Sequence, residues 1–476
     1  MKPTQAENRR RIPRGHHQIC LWAMTIIEFT SMRKGSAALV KARPNQAWWI
    51  VASLLTGAMV SLSLPALSAS EGAKRDDLDA LYLDLHAHPE LAFQERRTSD
   101  LLADRVAALG FEVTRHVGRT GFVALLRNGP GPVVMLRTEL DALPLEEKTG
   151  APFASVARGK SADGDDVPVA HACGHDLHMT AWYGTAMRMA AERREWKGTL
   201  MMVGQPAEET FGGAHAMLDD GLFTRFPRPD YALSVHDEPS LAAGVFGFHP
   251  GFFRSASDEI TVVMHGRGGH GAKPYTTVDP VVMAARAVVG LQTIVARETD
   301  PFSPVVVTVG SIHGGSAANI IPDEVKMLLS VRSFDPKSRE RTLAAIRRQL
   351  DGEAAAAGAP EPPTITVRPG TDPVYNDPAT TARLAEAIRR ALGAEHVVEM
   401  PAKMTSEDFS AYGRDGVKAV LLHIGASDPE QLRDHGVVAD LHSPRWLPKL
   451  HPTMDAMVDG EVAALRELLA SHSSSQ

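Results

Sequence analysis

Past residue 71 the apolar positions of the chain switch between two periods. "RDDLDALYLDLHAHPE" and "TSDLLADRVAALGFE" repeat at helical spacing, and Gly110 closes the second. "GFVALLRNG" and "GPVVMLRTELDAL" read as strands joined by a Gly-Pro turn. A helix ("HMTAWYGTAMRMAAERR"), a strand with a polar end ("GTLMMVGQPAEE"), a helix ("GGAHAMLDDGLF") and a strand ("DYALSVHDEP") follow. This alternation, with apolar strands, predicts an α/β fold around an open, mostly parallel sheet. In such sheets chemistry gathers just past the carboxyl ends of strands. The polar groups "ELD", "PAEE" and "HDEP" stand there.

From about Ser257 the order changes. Strand "DEITVVMHGRG" is followed by helix "VDPVVMAARAVVGLQTIVAR", strands "PVVVTVGSIHG" and "EVKMLLSVRSF", helix "PKSRERTLAAIRRQLDGEAAAAG" and strand "PTITVRPG". That β-α-β-β-α-β order predicts a ferredoxin-like module over 257–368, inserted between 71–256 and 369–476. Its two helices cover one sheet face and leave a strand edge open, which favours pairing with a second copy, so a homodimer or higher homo-oligomer is expected. The chain returns through helix "ATTARLAEAIRRALG", strand "GVKAVLLHIG" and a closing helix.

The first 70 residues change the picture of where the protein works. They hold nine Lys/Arg and two acids, and no charge occurs between Arg43 and Glu71. A basic region, an apolar run and a small-residue end resemble an export signal, with translation starting at Met1 or at Met32. The expected location is periplasmic or secreted, and the alternative is an anchor formed by residues 48–64. Without that segment 41 basic and 55 acidic side chains remain. So acidic a protein repels phosphate backbones, and no nucleic-acid partner is expected. Membrane contact is expected only through the signal or anchor.

Removing the segment also leaves Cys173 as the single cysteine, which cannot form an internal disulfide. Metal ligation would explain a thiol in an oxidising compartment. Cys173 and His175 lie in "HACGHDLH", residues 171–178, where a loop meets a helix start; His171 and His178 compete with them as candidates. Thiolate plus imidazole suits zinc, and also manganese, cobalt or nickel. In "QPAEE", Glu208 and Glu209 are adjacent carboxylates at a strand end. One can bind metal while the other accepts a proton from water, the division that metal-assisted hydrolysis needs. His236 ends another strand, and His442 lies in a C-terminal loop. Two rival readings are a thiol hydrolase with Cys173 as nucleophile, and a non-catalytic metal- or peptide-binding protein.

The stretches "HPELAFQE", "LRTELDALPLEEKTG", "HACGHDLH", "QPAEE", "GRGGHGAKP", "DPVVMAA", "NIIPDEV", "SEDFSAYG" and "HSPRW" run in order over Asp77 to Ala470. Together they resemble the peptidase-like metal-dependent amidohydrolases, the family of hippurate hydrolases, N-acyl-amino-acid deacylases and indole-acetyl-amino-acid hydrolases. The resemblance implies a catalytic domain with an inserted lid and dimerisation domain. It implies two divalent ions held by Cys173, His175, Glu209, His236 and His442, with Glu208 as general base. It further implies that Asp141 orients a ligand from behind, and that His270 and Asn319 bind substrate, often in the partner's site. The implied reaction is hydrolysis of the amide of an N-acyl amino acid or a small dipeptide-like substrate. Glu139, Tyr275, the "HDEP" run and Thr405 depart from the family pattern, which bears on substrate choice.

Overall fold

The computed structural model describes residues 64–414, 416–433 and 438–470, with side chains from Arg75 onward. The expected export segment lies outside the described residues except for its last few, which open the first helix. Helices α1 (Leu64–Ala87) and α2 (Arg96–Ala108) precede strands β1 (Glu112–Val117), β2 (Gly121–Asn128) and β3 (Val133–Glu139). A small hairpin, β4 (Arg158–Lys160) and β5 (Asp166–Pro168), leads to α3 (His175–Ala191) and β6 (Gly198–Gln205). Two short helices, α4 (Gly213–Asp219) and α5 (Leu222–Arg225), replace the single helix expected over "GGAHAMLDDGLF". The break is Gly221, whose φ of 91° leaves the helical region. Strands β7 (Tyr231–Ala242), β8 (Phe246–Phe248) and β9 (Gly251–Arg254) follow.

The inserted module begins with β10 (Ala256–His265) and the two-residue β11 (Gly269–His270). It continues through α6 (Pro280–Thr293), β12 (Val305–His313), β13 (Ile320–Ile321), β14 (Glu324–Ser333), α7 (Pro336–Ala357) and β15 (Thr364–Pro369). Both helices start on an Asp-Pro pair. Asp279 accepts from Val281 N at 2.8 Å and Asp335 from Ser338 N at 2.9 Å, with proline in the first turn, where no N–H is needed. The four long strands form an antiparallel sheet in the order β12-β14-β10-β15. One face packs on α6 and α7 through Ile260, Leu291, Leu329, Val331 and Ile346.

The chain then returns through β16 (Val374–Asn376), α8 (Pro378–Leu392), β17 (Val397–Glu399), β18 (Lys418–Ser427), α9 (Pro429–Arg433) and α10 (Leu450–Leu469). The main sheet has eight strands in the order β1-β2-β6-β3-β7-β18-β8-β17, and β6, β3, β7 and β18 run parallel. Alternate residues of these strands enter opposite cores. Leu136, Met202 and Leu422 pack with Trp182 and Met454 on one face, and Met135, Met201 and Leu421 with Met217 and Tyr412 on the other. A sheet buried on both faces explains why its strands read as continuous apolar runs.

A short connection does not make these two strands neighbours. β2 and β3 share a turn but do not pair, because β6 lies between them, antiparallel to β2 and parallel to β3. The connecting turn crosses the start of β6, where Thr199 N donates to Pro132 O at 2.9 Å. A Cβ on Gly131 would meet Gly198 Cα at 2.8 Å, so this crossing needs glycine on both sides.

Candidate metal centre

The carboxyl ends of β3 and β6 lie side by side, and the loops before α3 and α10 join them; His236, expected at a strand end, instead lies midway along β7, which runs past the end of β3 to Ala242. Asp141, just past β3, is fully buried. Its two carboxylate oxygens accept the backbone N–H groups of Glu208 and Glu209, each at 3.0 Å. Glu95 accepts the N–H of Ala207 at 2.8 Å, where φ is 52°. Three carboxylate contacts therefore fix the turn after β6 and send the Glu208 and Glu209 side chains inward.

His175 is the first residue of α3. It follows Gly174, whose φ is 72° and where a Cβ would meet Asp237 Oδ2 at 2.4 Å. The His175 ring donates from Nδ1 to the carbonyl of Asp141 at 2.7 Å. That leaves Nε2 as a buried acceptor with no partner. His236 repeats the pattern: Nδ1 donates to Asp237 O at 2.8 Å, and Nε2 lies 3.5 Å from Cys173 Sγ. A ring nitrogen tied to a carbonyl with its other nitrogen free is the arrangement of a metal-binding imidazole.

His442, at φ 62°, is held by its N–H on Ala172 O at 2.8 Å and brings Nε2 to 3.4 Å from Glu209 Oε2. Donor atoms of Cys173, Glu209 and His442 lie within 4.8 Å of one another, as do those of His175, Glu208 and Glu209. Glu209 belongs to both groups, and a third group of Glu139, His175, His178 and His236 shares His175 with them, so all five expected ligands and Glu208 gather at one place.

The electrostatics fit a cation. Burial, with the charges of Glu407, Glu209 and Asp408, pushes the Glu208 carboxyl well above its usual range. Burial also pushes Glu209 up to about 8. Burial and the neighbouring carboxylates raise the Cys173 thiol as well. Carboxyls and a thiol that crowd in this way, beside the ring nitrogens of His175 and His236, want positive charge. The mixed S, N and O donors suit divalent first-row metals.

His178 and His171 are resolved differently. Asp237 N donates to His178 Nε2 at 2.9 Å, and Nδ1 lies 3.1 Å from Glu139 Oε2, so both ring nitrogens are engaged. His171 is buried with neither nitrogen bonded, and burial depresses it to about 4, but it joins no donor group among the described residues. His270 and Asn319 lie together on the β11–β13 ribbon, where Gly271 N donates to Asn319 O at 2.8 Å. Both are exposed and neither lines the cavity in front of Cys173.

That cavity, about 570 Å³, has Cys173, Glu208, Glu209, His236 and His442 on one wall. The open face of the inserted sheet forms another, through Val306, Thr308, Ser330 and Arg332, which the β12–β14 register sets opposite one another. Several residues in the cavity wall and beneath it carry no assignment from the sequence. Arg137 is fully buried beneath Glu208. It is bound to Glu139, to Glu407 at 2.8 Å and to Asp408 at 3.0 Å, so three carboxyl groups under the site share one guanidinium. Arg332 donates to the Ser406 hydroxyl and has no carboxylate within ion-pair distance among the described residues. Strand alternation in "EVKMLLSVRSF" could have set Arg332 on the face away from Leu329 and Val331. Nothing local marks Arg137, which reads as the first of three polar residues closing an apolar strand.

Residues 135–447 match peptidase family M20/M25/M40. The chain belongs to that family. The M20 chain is 38% identical over 273 residues to hippurate hydrolase of Campylobacter jejuni, covering 57% of this chain and 68% of the relative. It is 32% identical over 332 residues to N-acetyl-L-cysteine deacetylase of Bacillus subtilis, covering 69% and 75%. Among solved structures, the YxeP protein of Bacillus subtilis, a dinuclear metal-binding M20 peptidase, superposes with a TM-score of 0.69 at 28% identity. That match covers 84% of this chain and 99% of YxeP. The protein is therefore an M20-family hydrolase with the α/β catalytic and lid architecture of that family.

Proposed function

We propose that this M20 hydrolase cleaves the amide of N-acyl amino acids, including hippurate-like conjugates, or of small dipeptide-like substrates. Two divalent ions (manganese, zinc, cobalt or nickel) would be held by Cys173, His175, Glu209, His236 and His442. The observation that carries the reading is the pair of buried, unpartnered donors, His175 Nε2 and Glu209 Oε1, beside the crowded carboxyls. Bound cations of this kind polarise a carbonyl and make water acidic enough to ionise near neutral pH. Glu208, buried on the cavity wall beside the ligand set, is placed to take the proton from water and pass it to the leaving amine. Arg137 and the Asp141 clamp hold the Glu208 segment in place. Across the cavity, Arg332 offers an unpaired charge to the substrate carboxylate.

The rival readings have less support. A nucleophilic cysteine needs a lowered pKa, whereas burial and Glu209 push Cys173 the other way. A non-catalytic binder would not require a carboxyl such as Glu208 beside the ligand set. His270 and Asn319 are proposed to serve the site of a partner copy in a homodimer. The exposed Val281, Val282 and Val289 on α6 and the free edge of β12 are the surfaces that support it. Export to the periplasm or beyond is inferred from the first 70 residues, with residues 48–64 as an anchor being the other outcome of a fractionation experiment.

The test pairs two neighbours. With N-benzoylglycine and a panel of N-acyl amino acids, Glu208→Gln is expected to keep bound metal and lose nearly all turnover. Glu209→Gln is expected to lose metal. Full activity of chelated wild-type protein, or equal metal loss in both variants, contradicts the assignment.

A further inference from the structure

Arg254 ends β9 and is only 5% exposed, yet it has no carboxylate within ion-pair distance among the described residues. Its guanidinium donates to His423 Nε2, at 2.8 Å from Nη2 and 3.2 Å from Nε, and to the Thr405 hydroxyl. Both partners are neutral. Burial, and then the charge of Arg254 itself, depress His423 to about 3, although Glu238 lies on its far side. Glu238 Oε2 comes within 3.2 Å of His423 Nδ1 but is already paired with Lys403 Nζ at 2.5 Å. A guanidinium taken out of water without a counter-ion costs several kcal/mol, so a position like this wants an anion.

The place of that charge is informative. Arg254 lines the same cavity as Glu208 and His236, with Lys403 and Arg332 beside it. Consecutive hydroxyls, Thr405 and Ser406, hold Arg254 and Arg332 respectively. The parallel β7–β18 register sets His423 next to His236, with ring centroids 6.3 Å apart. Arg254 therefore stands about one amino-acid side chain away from the metal wall. Since Arg332 alone matches one carboxylate, the buried guanidinium of Arg254 is left for a second anionic group.

We propose that Arg254 receives the side-chain carboxylate of the substrate, so that the preferred substrates are N-acyl conjugates of glutamate or aspartate. The proposal deepens the amidohydrolase reading and rests on it for the reaction, though not for the anion site. The test uses metal-reconstituted protein and isosteric pairs: N-acetylglutamate against N-acetylglutamine, and N-acetylaspartate against N-acetylasparagine. The acidic member is expected to have the higher kcat/KM by about 10-fold or more, mainly through KM, as a charge-assisted contact implies.

Arg254→Met should collapse that ratio toward one, and Arg254→Lys should retain part of it. Glutarate should raise Tm and compete with substrate, whereas butyrate should do so weakly. The wild-type ratio and the glutarate result stand even if Arg254→Met does not fold. Equal cleavage of acid and amide members would overturn the role of Arg254 and leave the amidohydrolase reading intact. Glutarate binding that depends on Arg254, with no amide in the panel cleaved, would keep the anion site and refute the reaction. The absence of both glutarate binding and acid preference refutes the proposal outright.

Discussion

Asp141→Ala tests how far the catalytic turn depends on one buried carboxylate. Wild-type Asp141 accepts the N–H groups of Glu208 and Glu209 at 3.0 Å each, and no other acceptor is assigned to either. Removing the carboxylate leaves two buried donors unpaired, at about 1–3 kcal/mol each, so a loss of about 2–6 kcal/mol is expected. Asp141→Asn keeps one acceptor oxygen but turns an NH₂ group toward the second N–H, and should lose roughly half as much. The His175 contact involves the backbone carbonyl of Asp141, so that ring should stay in place in both variants. The loss should instead fall on Glu209, and metal affinity should drop about 10–100-fold, the range for residues that support metal ligands. Calorimetric titration of metal into apoprotein, with denaturant unfolding of the same samples, measures both quantities. An Asp141→Ala protein with wild-type stability and metal affinity would refute the reasoning, because it would mean the turn after β6 is held by something else.

Three further outcomes are expected. His86 is buried and lies 2.6 Å from Asp176 and 3.1 Å from Glu147; burial opposes its charge, but these hydrogen bonds prevail and raise it from 6.5 to about 10. A raised histidine stabilises the fold fully below pH 6.5 and progressively less up to pH 10, by at most ~5 kcal/mol, so the Tm gap between wild type and His86→Gln should close over that window; a pH-independent gap contradicts this. Glu461, buried beside the Thr185 hydroxyl at 2.7 Å, is raised by burial to about 8. Its ionisation opposes folding increasingly from pH 4.5 to 8, so Glu461→Gln should be more stable than wild type above pH 8 and indistinguishable below pH 4.5 in thermal melts. Finally, a mixed dimer of His270→Ala and Glu208→Gln subunits should recover about one working site in two, and no recovery in demonstrated heterodimers would assign His270 to its own subunit or to no catalytic role.

The sequence alone determined what local chemistry can determine. Asp-Pro pairs at 279–280, 335–336 and 377–378 announce helix starts because cap and first turn are set within four residues. The order of elements in the inserted module was legible for the same reason, since each strand and helix carries its own period. Glu208 and Glu209 could be placed at a strand end from pattern alone, whereas the grouping of Cys173, His175, His236 and His442 with them was an implication of the family resemblance, and His270 and Asn319 lie away from the cavity.

Tertiary structure alone decided that β6 separates β2 from β3, because the partner of a strand is chosen by long-range packing that a short turn only permits. It also decided which histidines have a free nitrogen. His175 and His178 are three residues apart in one motif, yet a carbonyl of Asp141 leaves one ring open, while Glu139 and Asp237 engage both nitrogens of the other. The same holds for Arg254 and Arg332. An arginine in a strand is ordinary in sequence, and only the tertiary structure shows that neither guanidinium has a carboxylate within ion-pair distance among the described residues, a property of every neighbouring element at once.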